Sequence, residues 1–304
     1  MVARLFAAIL VLSTLSFAGI TDEVRQALEQ NNFPAAQAEL QTYRAQQGLT
    51  PDYVEALSWM ARASLASQQL DQADKYARQT ETLSRQLLAK RPLDAEPHLP
   101  IALGAAIEVQ AQVLAQRGET AQAVALLRRS VETYRGTSIR ARLQKNLNVL
   151  GLTGQPAPPL KITPYLGPKP VALSQLSGSP VLLFFWAHWC VDCKAEGPII
   201  AQLSSEFGSR GLMLVAPTQL YGYAARGEDA QPKDEFPYIE HVWQQYYPAL
   251  QGVPVPVSKE NFNVYGASTT PTLVLLDRAG RVSLYHPGAM PYEDLRAAIE
   301  KAFR

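Results

Sequence analysis

Cys190 and Cys193 are the only cysteines in a chain of 304 residues, and Val191 and Asp192 alone separate them. That spacing serves three kinds of chemistry: a dithiol that cycles with a disulfide, part of a metal site, or a thioether anchor for haem. Haem attachment needs histidine directly after the second cysteine, and Lys194 stands there. A structural zinc takes about four ligands, yet there is no second cysteine pair, and His98, His188, His241 and His286 show no ligand spacing. The pair follows an apolar run of strand length, "PVLLFFWA", and precedes a helical pattern over 191–207. Cys190 is then expected at a helix N-terminus, where unpaired N–H groups and the helix dipole stabilise a thiolate. It is the candidate nucleophile. Cys193, nearly one turn on and deeper, is the candidate thiol that resolves a mixed disulfide. A purely structural disulfide is the alternative, although closing so short a loop gives little chain-entropy stabilisation.

The elements that must hold this pair fall into two halves. Composition is that of an ordinary globular protein, 47% apolar and 18% charged with a formal net charge of +1, which speaks against nucleic acid or an anionic membrane surface as partner. Residues 1–18 read as a signal peptide: Arg4, an apolar run from Leu5 to Leu12, then Ser16 and Ala18 at a cleavage-type site. The alternative is an uncleaved anchor extended through Ile20 to the roughly 20 residues that span a bilayer. No cysteine follows the run to take a lipid. The mature chain is expected to be soluble in an oxidising space outside the cytoplasm, periplasmic or equivalent.

Residues 19–150 are helical in pattern, with helices expected over 22–31, 34–47, 51–67, 71–89, 97–117, 119–134 and 137–149. Pro34, Pro51 and Pro97 sit where first-turn prolines are tolerated. "NNFPAAQAEL", "QQLDQADKYA" and "RGETAQAVAL" each place a polar turn before an alanine-bearing helix, at intervals near those of helical repeats. This half resembles a tetratricopeptide-like array of three hairpins with a closing helix, though its period is irregular; an unrelated helical bundle is the alternative. The Pro- and Gly-rich stretch 151–170 reads as linker and domain entry. Beyond it, residues 171–304 read as α/β with a mixed sheet: "GLMLVAP" and "PTLVLLD" are further buried strands, helices are expected over 234–247 and 291–303, and "DRAGRV" turns the last strand antiparallel.

The stretch "VALSQLSGSPVLLFFWAHWCVDCKAEGP" resembles the entry to thioredoxin-like domains of the TlpA, ResA and DsbE type, membrane-linked thiol-disulfide oxidoreductases, and "YGASTTPTLVLLDRAG" resembles their cis-proline segment. The resemblance implies a thioredoxin fold over about 156–304. It implies that Cys190 and Cys193 are catalytic, with no cofactor beyond their disulfide and no metal. Pro271 would be a cis-proline that keeps the backbone of Thr270 open to a substrate strand and metal away from the thiols. Trp189 would flank the disulfide, whereas Trp186 is core. Glu196 would exchange protons with Cys193, a role helped if burial raises its pKa; a solvated helix carboxylate is the alternative. Thioredoxin's buried aspartate is replaced here by Phe184.

Asp192 beside the thiolate opposes its ionisation and makes the couple more reducing, while a protonated His188 would act the opposite way. Residues 218–232, "TQLYGYAARGEDAQP", form an extra loop near the active end of the sheet, and Tyr221, Tyr223 and Arg226 are candidates for partner recognition there; a solvated loop with no role is the alternative. Phe236, Ile239, Val242, Trp243, Tyr246 and Tyr247 lie on one helical stripe and read as core. The expected activity is a protein-disulfide reductase acting on protein thiols or disulfides, resupplied by a membrane thiol donor, its helical half recognising a protein partner. A disulfide-forming oxidant and a helical-repeat scaffold with a non-catalytic second domain are the alternatives. Peroxiredoxin chemistry would need Pro and Thr where Leu183 and Ala187 stand.

Overall fold

Proline in a first turn and a polar N-cap decide where the early helices begin. In a computed structural model that describes residues 19–304, the Asn32 carboxamide accepts from Ala35 N at 3.1 Å and the Thr50 hydroxyl from Tyr53 N at 3.1 Å, each just before a proline-bearing first turn. The signal peptide read over 1–18 lies outside the described residues. Seven helices follow: α1 (Ile20–Glu29), α2 (Phe33–Gln47), α3 (Pro51–Ala66), α4 (Leu70–Leu88), α5 (His98–Gln116), α6 (Thr120–Thr133) and α7 (Arg140–Gly151). Each end lies within three residues of its expected place. Pro97 precedes α5 as its N-cap.

The helices pair as α1–α2, α3–α4 and α5–α6, with α7 packed against α5 and α6. The odd-numbered helices also pack in line, α1 on α3, α3 on α5 and α5 on α7, so they share one face. α5 is apolar enough to cross a membrane by length and composition, but it is the core of this half: Leu99, Leu103, Ile107 and Ala111 are buried against Leu127 and Leu143. Small residues at the contacts, Ala73 and Ala77 on α4 among them, let the backbones approach closely.

The second half contains β1 (Tyr165–Leu166), β2 (Val181–Phe185), α8 (Val191–Gly208), β3 (Met213–Val215), α9 (Pro232–Tyr246), β4 (Val255–Pro256), α10 (Lys259–Tyr265), β5 (Thr272–Leu276), β6 (Val282–Pro287) and α11 (Tyr292–Ala302). The main sheet runs β3-β2-β5-β6, with β2 parallel to β3 and the other neighbours antiparallel. β2 and β5 are continuous apolar runs because both their faces are covered. Leu182, Phe184, Leu273 and Leu275 face α8, α9 and α11; Val181, Leu183, Phe185 and Val274 face Phe262 and Tyr265 of α10.

The stretch 151–170 does not run free. Gly154 N donates to Val282 O at 2.7 Å and Ala157 N to Gly280 O at 2.9 Å, Asn261 brackets Lys161 with two bonds, and β1 pairs with β4. The helical half docks through α7 onto α10 and β6, where the Asn148 carboxamide donates to Tyr265 O at 2.9 Å. Gly266 closes α10 in the left-handed region at φ +60°, and a Cβ there would stand 2.2 Å from Lys145 N. That glycine lets the α7 backbone seat against the end of α10.

Candidate functional site

Pairing of Phe185 with Thr272 ends two strands side by side. The chain leaves β2 through Trp186, Ala187, His188 and Trp189, and α8 opens directly after Cys190. Trp186 is buried and its indole N–H donates to Ala216 O at 3.1 Å, so it anchors this turn in the core. Cys190 is the N-cap of α8, and its Sγ accepts from Cys193 N at 3.0 Å. The two cysteines form a disulfide with Cα atoms 5.3 Å apart. Cys190 is 3% exposed and Cys193 0%, so Cys190 is the outer sulfur. Around it lies an apolar rim: Trp189 is 47% and Val191 76% exposed. An amide N–H aimed at Sγ is the arrangement that stabilises negative charge there.

Glu196, one turn beyond Cys193 on the same helix face, is buried, and its carboxylate accepts from Met290 N at 3.2 Å. Burial raises its pKa, against the Met290 bond and the charge of His286, which lower it. It is a carboxyl that holds a proton more readily than a solvated one. Gly197 follows it, and a Cβ there would lie 2.9 Å from the Tyr247 ring, which fixes how closely α8 packs.

The Thr270–Pro271 peptide is cis. Because Thr272 is level with Phe185, Pro271 lies beside the turn that leads to the disulfide. Pro271 O accepts from Gly288 N at 2.8 Å, while among the described residues no backbone group bonds to the N–H or C=O of Thr270. Those two groups are free to pair with an extended chain.

One part of the site escaped the sequence reading. His188 is fully buried, enclosed edge-on by the rings of Tyr221, Tyr223 and Tyr238 at 5.3 to 5.4 Å, with Nε2 3.4 Å from Oε1 of Glu235. Glu235, also fully buried, accepts from the backbone N–H groups of Tyr221 and Gly222. Tyr221 in turn meets Trp189 edge-on at 5.6 Å. Tyr221 and Tyr223 are half-buried with their rings against His188, and Arg226 is exposed. His188 likewise does not act as a free cation beside Cys190. Nothing local marks this cluster, because a histidine after β2 and a glutamate opening α9 are joined only by the fold. Of the expected α9 stripe, Ile239, Val242, Trp243 and Tyr247 are core, and Tyr246 is exposed with the Lys194 ammonium 4.4 Å over its ring.

Burial holds the His188 pKa below its usual value; Glu235 opposes this and does not prevail. The unfolded chain, with an ordinary imidazole near 6.5, binds a proton that the folded one declines, so the His188 contribution is intact above about pH 6.5 and is lost as pH falls below it. His98 works with the opposite sign: burial disfavours its charge, but the bond to Glu55 and the charge of Asp52 raise its pKa overall. Urea denaturation of the wild type and His188→Gln at several pH values between 7.5 and 5 isolates the difference. The wild type should lose more stability on acidification than the variant, and equal losses would contradict this account.

Residues 171–303 match the family model described as "Thioredoxin-like domain". The chain is 28% identical over 140 residues to the thiol:disulfide interchange protein DsbE of Xylella fastidiosa, covering 46% of this chain and 63% of that protein. It is 27% identical over 152 residues to the thiol-disulfide oxidoreductase ResA of Bacillus anthracis, covering 49% and 77%. Among solved structures, a thiol:disulfide interchange protein described as a putative DsbE, from Chlorobium tepidum, aligns with 29% identity and a TM-score of 0.38 over 49% of this chain and 96% of that one.

Proposed function

With residues 171–303 taken as a thioredoxin-like domain, we propose that the chain is an extracytoplasmic thiol-disulfide oxidoreductase that reduces protein disulfides. The observation that carries the oxidoreductase reading is the Cys193 N–H at 3.0 Å from Cys190 Sγ, with Cys193 fully buried beneath it. In the reduced form the Cys190 thiolate attacks one sulfur of a substrate disulfide. That S–S bond breaks, the far sulfur leaves as a thiolate and takes a proton from water, and a Cys190–substrate disulfide forms. Glu196 then accepts the Cys193 proton, the Cys193 thiolate attacks Cys190 Sγ, and the second substrate thiolate leaves. Two electrons pass from the pair to the substrate, and the pair ends as a disulfide.

Thr270 offers its backbone to the substrate strand and Trp189 flanks the sulfur. A membrane thiol donor returns the two electrons, and the helical half selects the protein served. Charge supports this direction. Asp192 sits in the first turn of α8 beside Cys190 and opposes its thiolate, while His188 is buried and neutral and does not offset this. A less stable thiolate makes the couple more reducing. Titration of the purified protein in dithiol or glutathione buffers tests this: a potential near the roughly −270 mV of thioredoxin fits a reductase, and one near about −120 mV would make the protein an oxidant. In the same assay Glu196→Gln should slow reduction without a comparable change in potential.

A further inference from the structure

Three open cavities follow the shared face of the odd-numbered helices. The first, of about 280 Å³, lies between α1 and α3 and is lined by Arg25, Glu29, Trp59 and Arg62. The second, of about 420 Å³, takes in Arg62 again with Glu108 and Arg142. The third, of about 290 Å³, shares Glu108 and Gln112 with the second, adds Lys145, and ends on Thr269 and Pro287. Thr269 directly precedes the Thr270–Pro271 segment, and Pro287 pairs in register with Thr272. Shared lining residues thus make one groove that runs from α1 to the edge of the disulfide site.

Its charge is net positive, with Arg25, Arg62, Arg142 and Lys145 against Glu29 and Glu108. Glu108 is already engaged, its two oxygens held by Arg142 at 2.6 Å and Lys145 at 3.3 Å. Among the described residues Arg25 and Arg62 have no ion-pair partner. They lie over the Trp59 ring at 4.7 and 4.3 Å, and the nearest bond from Arg62 goes to Ile101 O at 3.5 Å. Trp59 Nε1 and Arg62 Nε are buried without partners. Burial and the neighbouring Arg142 lower the Arg62 pKa to about 10, although Glu108 and Glu55 pull the other way. Two under-neutralised guanidinium groups on an aromatic platform form a receptor for carboxylates.

We propose that this groove binds an acidic segment of the client polypeptide, with Arg25 and Arg62 holding Asp or Glu side chains while the client's cysteine meets Cys190. The inference rests on the reductase reading for the identity of the occupant, and it is tested without redox chemistry. The probe is a fluorescent peptide with serine in place of its cysteine and an Asp/Glu-rich flank, compared by anisotropy with the same peptide carrying Asn/Gln. The full-length wild type should bind the acidic peptide at least about tenfold more tightly, as expected for hydrogen bonds between charged groups. Arg25→Gln/Arg62→Gln should abolish that preference at unchanged melting temperature, and Arg62→Lys in the Arg25 background should retain part of it. Equal affinity for the two peptides, or an undiminished preference in the folded double variant, overturns the proposal. Peptide preference without disulfide turnover would sink the reductase reading and leave the groove; turnover without preference would do the reverse.

Discussion

Cys193→Ser traps its substrates as mixed disulfides, and Cys190→Ser does not. Turnover falls in both variants by on the order of 10³-fold or more, the scale on which enzymes lose activity with their nucleophile. The asymmetry follows from position. Cys190 Sγ is the outer sulfur and receives the Cys193 N–H, so it makes the first bond to a substrate. Without the buried thiol at 193, nothing attacks that bond from within, and the covalent pair accumulates. Non-reducing electrophoresis after mixing with a disulfide-bonded protein separates the outcomes. Both adducts appearing equally would place the nucleophile elsewhere, and full turnover in either variant would make the disulfide structural.

The second large effect is expected far from any sulfur. Gly266→Ala places a methyl where the nearest atom is the backbone nitrogen of Lys145, 2.2 Å away. Backbone cannot rotate aside as a side chain does, and φ +60° itself costs a non-glycine residue roughly 1–2 kcal/mol. With the roughly 1–3 kcal/mol that overpacking costs added, a loss of about 2–5 kcal/mol is expected. The seat of α7 on α10 is what yields, so urea unfolding followed through both halves should separate into two transitions or shift to markedly lower denaturant. An unchanged midpoint would show that the docking of the halves does not depend on this close approach.

What could be read from the chain was local. The cysteine spacing, the fully apolar runs of β2 and β5, and the first-turn prolines of α2 and α3 carry their meaning within a few residues, and the helices and strands built on them appear in order. α10 leaves no such signal, because its seven residues, "KENFNVY", are too few to display a helical period. The stretch 151–170 reads as a linker by composition, yet proline-rich backbone can still bond at a sheet edge, as Gly154 and Ala157 do. Tyr221 and Tyr223 are legible as candidates only from the place of their loop at the active end of the sheet. That Glu235 holds the backbone of Tyr221 and Gly222 is settled only once α9 has packed. The pairing of His188 with Glu235 is likewise a property of the fold, and no spacing rule reaches it.

The contact of Glu235 with the amides of Tyr221 and Gly222 bears on how separable the parts of this domain are. Surface loops are commonly exchangeable modules, but this one is wired to the residue two positions before Cys190. Transplanted alone, residues 218–231 would leave behind both the imidazole that their tyrosines enclose and the carboxylate that holds their backbone. The unit of inheritance here is therefore distributed: loop, His188 and the first turn of α9 must travel together.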